Sequence, residues 1–272
     1  VEKLRQSGAY DEALAMCQDL VSEAPDDPVP LAVAAAISRD AGRPELGLPL
    51  LERAVQLAPT QADILCDLGA LLLELGEDAG AEEAYARAVA ADSQSRAARF
   101  ALIDIFEAQS RIDEAVEVLE ALVALDEAAL EPRERLARLL DIAGNESRAA
   151  EIRRETMERA QDAVRRAYDA IRQHGSDVPV YETDEARLAW SYALLTYVAA
   201  GTELARGSER DDPSAAVQGY RAMLQVLADA AEQAQAVDGL RRTYEAAAQA
   251  FAHCHVKLAE LQETFGNLGG AI

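Results

Sequence analysis

The chain is poor in lysine, which occurs only at positions 3 and 257 of its 272 residues. Lys and Arg total 26 against 49 Asp and Glu, a formal net charge of −23. Binding of DNA, RNA or an anionic membrane needs a basic footprint, so this balance argues against nucleic acid and membrane surfaces as partners. The acidity suits a protein or peptide partner that is basic or amphipathic. Cysteine is scarce too. Cys17, Cys66 and Cys254 are odd in number and far apart, which excludes a disulfide framework and a CxxC pair. A reducing compartment, and hence a cytoplasmic location, is expected. Aromatic residues make up only 5 % while hydrophobic residues reach 50 %. An Ala- and Leu-rich composition of this kind favours helix. Long apolar runs are missing: even 188–200 is short and carries polar residues, so direct membrane insertion is not expected. No signal peptide is visible. Residue 1 is Val, and the repeat phase described below starts it inside a helix, so the native N-terminus is expected upstream.

Motifs that carry chemistry are also lacking. There is no HExxH, no phosphate-binding Gly loop, no GxSxG and no Rossmann fingerprint. His253-Cys254-His255 looks like a metal fragment. On a helix, however, residues two apart point to different sides, whereas paired helical ligands want a spacing of three or four. A packed Cys flanked by surface His is the expectation. The sequence therefore predicts no enzyme activity, no catalytic residue, no metal ligand and no cofactor.

What is present is a period. Units begin at Pro28, Ala62, Arg96 and Leu130, each 34 residues after the last, and residues 1–27 hold the second half of an earlier unit. Aligned, the inter-helix turn falls on Gly8, Gly42, Gly76, Ser110 and Gly144. A left-handed helix C-cap favours Gly there. Five residues on stand Ala13, Gly47, Ala81, Ala115 and Ala149, all small enough for two helices to approach closely. Val21, Val55, Val89, Val123 and Met157 form a stripe toward the neighbouring unit. Pro25 and Pro59 end the first units, and that signal fades at Ser93 and Glu127.

This pattern resembles the tetratricopeptide repeat (TPR) over residues 1–157. It departs from the family in two ways. The usual aromatic residue early in the first helix is replaced by Leu31, Leu65, Arg99 and Arg133. In the fifth unit, Arg153 and Thr156 stand where a bulky apolar residue and a small one belong. The expected fold is all-α, a solenoid of helical hairpins with a concave surface lined by first helices. The resemblance implies partner binding in that groove. Carried to this chain, the groove offsets give Arg39 and Asp40, then Asp63, Asp67, Ala70 and Glu74, then Phe100, Asp104 and Glu107, and lastly Glu131, Arg135 and Arg138. A peptide-carboxylate clamp would need several basic residues and Asn at these places. Asn is absent from all of them and the middle of the groove is acidic. A basic or amphipathic segment is the better ligand, with Phe100 as an apolar anchor.

The period stops near residue 145, which divides the chain into a solenoid (1–145) and a long-helix bundle (146–272). The run 146–174 has no internal breaker and would extend roughly 40 Å as one helix. Residues 176–183 read as an extended linker holding Pro179, with Thr183 as the N-cap of a helix over 184–206. That helix is the most aromatic stretch, and Trp190 and Tyr197 are candidate contact residues. Asp212-Pro213 opens another helix to about 236, Asp238-Gly239 breaks or bends it, and a last helix spans about 240–265, capped by Gly266. The function that follows is a non-catalytic interaction scaffold or adaptor. The alternative is a structural subunit that oligomerises or docks into a large complex through 146–272.

Overall fold

The computed structural model describes residues 1–173, 180–236, 240, 244, 249 and 252–261. Among these residues the regular structure is α-helix, without a strand. The chain divides into two compact units, Val1–Leu125 and Asp126–Ile272.

The first unit runs α1 (Glu2–Gln6), α2 (Tyr10–Glu23), α3 (Val29–Asp40), α4 (Pro44–Leu57), α5 (Ala62–Glu74), α6 (Asp78–Ala91), α7 (Arg96–Ala108) and α8 (Ile112–Leu125). Each helix packs on the next, and the first helices α3 and α5 also touch. That pattern is a stack of helical hairpins, in which one hairpin buries the face its neighbour cannot.

The expected turns close each hairpin. Gly8, Gly42 and Gly76 have φ of 78°, 69° and 77°, and Ser110 takes the same left-handed conformation at 60°. The following N–H donates back across the helix end in every unit: Ala9 to Leu4 O, Arg43 to Ser38 O, Glu77 to Leu72 O and Arg111 to Phe106 O, at 2.8 to 2.9 Å. These six-to-one bonds satisfy carbonyls that the helix leaves open. The small positions are buried at Ala13, Gly47, Ala81 and Ala115. A Cβ on Gly47 would lie 3.2 Å from both Ala35 O and Leu71 Cδ2, so close helix contact is what demands a small residue there. Leu31 and Leu65 fill the position where the family carries an aromatic, and both are buried. Arg99 is buried in the same place, its stem inside and its Nη1 donating to Ser93 O at 2.7 Å.

The second unit holds α9 (Glu131–Ile142), α10 (Glu146–Gln173), α11 (Val180–Ser208), α12 (Pro213–Ala236) and a helical segment at 252–261. The α9–α10 turn keeps the repeat geometry, with Gly144 at φ 78° and Ala149 buried. Thus the hairpin phase persists to 145, while the division into compact units falls earlier, at Leu125/Asp126. Buried Arg133 again takes the aromatic position, and its Nη1 meets Glu155 Oε2 at 2.8 Å. The two anomalous residues of the fifth unit find local partners. Thr156 is buried and donates to Ile152 O at 2.7 Å, and Arg153 pairs with Asp141.

α10 does not stop where a repeat helix would; it runs 28 residues. α11 pairs along it and α12 pairs along α11. The core between them includes Ala160, Val164, Trp190, Leu194, Tyr197, Tyr220, Met223 and Leu227. One expectation fails here. α11 starts at Val180, so 180–183 is helix rather than linker, and Thr183 lies inside the helix rather than capping it. Residues 176–179 lie outside the described ones, as do His174, Gly175, Asp238, Gly239 and Gly266.

Candidate partner-binding face

Three first helices, α3, α5 and α7, carry the groove positions of the first unit. Asp63, Asp67, Glu74 and Asp104 are exposed, and Arg39, Phe100 and Glu107 are half-buried. Arg39 Nε lies 3.6 Å from Glu74 Oε1, which joins α3 to α5. One unit earlier, Arg5 Nε meets Asp40 Oδ2 at 2.5 Å. The Arg5 guanidinium holds the Asp40 carboxyl below its ordinary value. Arg39 and Arg5 are therefore tied to carboxylates of the adjacent unit.

The other charged groove positions on α5 and α7, Asp63, Asp67, Glu74, Asp104 and Glu107, are all acidic. Asp67 sits at the rim of a shallow cleft lined by Ala35, Ala36, Arg39, Leu51, Asp67 and Leu71. Desolvation on its inner side raises its carboxyl above the ordinary value, against the pull of Arg39, and Asp63 pushes the same way. Next to it, burial raises the Cys66 thiol, and Asp63, Asp67 and Asp92 add to that effect. A thiol held protonated in this way is a poor nucleophile. The Tyr85 hydroxyl is pushed up to about 12, first by burial and further by Cys66, Asp67 and Asp104. Asp67 and Asp104 thus both act on Tyr85, although they stand on different helices. The face offers carboxylates, small apolar side chains and one half-buried ring.

The other predicted residues lie elsewhere. Arg135 (half-buried) and Arg138 (exposed) are on α9, in the second unit. Trp190 and Tyr197 are interior residues at 0 % and 4 % exposure, and Trp190 Nε1 donates to Gln233 Oε1 at 2.8 Å. In the described fold these two rings serve the core of α10–α12, so neither offers a contact surface. In the His253-Cys254-His255 run, Cys254 is buried, His253 half-buried and His255 exposed. Among the described residues no three His, Cys, Asp or Glu side chains gather as a metal site, and no helix is long and apolar enough to cross a membrane.

Sequence reasoning missed the cleft, the Arg5–Asp40 pair and Tyr85. The pair had a signal: Arg5 and Arg39 are 34 apart, and Asp40 and Glu74 follow them in the same register. Tyr85 had one as well, since Leu51 and Leu119 hold its position in adjacent units and Gly69 opens space for its ring.

Residues 38–103 match one tetratricopeptide repeat family model, and residues 81–132 match a second. The chain carries tetratricopeptide repeats. TPR arrays are typically non-catalytic scaffolds that engage protein or peptide partners. Among solved structures, a crystal structure of MamA protein aligns with a TM-score of 0.53 at 20% identity, covering 60% of this chain and 90% of its own. A second MamA structure aligns at 0.52 with 20% identity, over 60% of this chain and 95% of that one. At such identity the likeness is one of fold. No curated protein matches the sequence.

Proposed function

We propose that this TPR protein is a non-catalytic scaffold or adaptor, and that the face formed by α3, α5 and α7 receives a basic or amphipathic segment of a protein partner. The observation that carries the reading is the charge pattern of that face. Asp63, Asp67 and Asp104 are exposed along it, while Arg5 and Arg39 are drawn to Asp40 and Glu74. Phe100 is the apolar anchor between the carboxylates. The low affinity of such a surface for nucleic acid follows from the same charge. Three free cysteines fit a reducing, cytoplasmic setting. Carbodiimide coupling tests the reading, because it joins carboxylates to amines and this chain has only two lysines of its own. Partner lysines should couple to Asp63, Asp67, Asp104 or Glu107. Coupling confined to residues 126–272 would overturn it.

A second reading, self-association through the C-terminal unit, rests on α11. Leu188, Tyr192 and Leu195 repeat at helical spacing on α11 and are exposed, with Leu188 at 71% exposure, while the Tyr192 hydroxyl donates to Glu134 Oε2 of α9 at 3.4 Å. Two copies pairing these stripes about a twofold axis would cover them. Light scattering on the full chain decides, since a monomer at high concentration removes this reading.

A further inference from the structure

We draw no further inference here: the strongest candidate, the apolar face of α2 where Met16 and Leu20 stand 45% and 41% exposed although Ala54, Ala88 and Leu122, in register with Leu20 in the later hairpins, are buried, carries none, because nothing in the structure shows what covers it.

Discussion

Arg39 on α3 reaches Glu74 on α5 at 3.6 Å, and one repeat earlier the same register brings Arg5 to Asp40 at 2.5 Å. Both pairs span 35 residues, one more than the period, so each arginine bridges to the next unit. The next rung would join Leu73 to Ala108, where the charges run out.

The Arg5–Asp40 rung is partly exposed and should contribute modestly, about 0.5 kcal/mol at low salt. Its pH dependence has a definite sign. The folded Asp40 carboxyl lies below its ordinary value of 3.8, so the contribution is present above that value and is lost as pH falls through the folded one. Urea denaturation of native and Asp40→Asn chains should show a small gap at neutral pH. The gap should close in acid and shrink with salt.

Among the described residues, Ser110 occupies the one turn in which a residue other than glycine holds a left-handed conformation, at φ 60°. A side chain costs about 1–2 kcal/mol there, partly offset by the greater unfolded-state freedom of glycine. Ser110→Gly should therefore stabilise the chain by about 0.5–1 kcal/mol, read as a higher urea midpoint. Ala substitution at Gly42 or Gly76 should do the reverse, because space is open around both and only φ objects.

Gly69 and Gly201 are both helical, yet Ala should act differently at each. A Cβ on Gly69 would lie 2.7 Å from the Tyr85 ring, which is buried and cannot swing away. Overpacking should outweigh the gain in helix propensity and cost about 1–2 kcal/mol. Adding Tyr85→Leu, the residue found at positions 51 and 119, should recover most of the loss. At Gly201 the clash is with Met223 Sδ and Cγ and Met157 Cε, in unbranched side chains that can change rotamer where a ring cannot, so Ala should cost less than at Gly69. Thermal melts of the three variants check the order.

Trp190 is the only tryptophan and is fully buried. Its emission should be blue-shifted and protected from iodide, and Trp190→Ala should destabilise the second unit by about 3–5 kcal/mol. Emission at the long wavelength of free tryptophan in the native chain would contradict this placement.

The repeat half was legible because its signals are backbone demands that return in phase. Gly8, Gly42, Gly76 and Gly144 answer to positive φ, and Ala13, Gly47, Ala81 and Ala115 to close helix contact. Ser110 kept its place in that order against its own propensity, which only the period could reveal. Arg99 and Arg133 read as surface residues by type, but their long stems pack inside while their guanidinia find oxygen partners. Beyond 146 no period exists to phase the helices. Trp190 and Tyr197 could then be read as core or as contact, because an aromatic stripe has the same spacing in both cases. Thr183 misled for a related reason: residues that favour caps are also tolerated inside helices, and α11 already begins at Val180. The Asp67 cleft was out of reach, since it joins α3, α4 and α5 through side chains no single motif contains.

Whether the acidic face of α5 and α7 holds the partner is tested most directly by charge reversal. Once a partner is in hand, its affinity is measured for the native chain and for the chain with Asp63→Lys, Asp104→Lys and Glu107→Lys, at low and high salt. The proposed function predicts a loss of at least tenfold at low salt, a native affinity that falls as salt rises, and a smaller gap between the two chains at high salt. Equal affinities that do not respond to salt would contradict it.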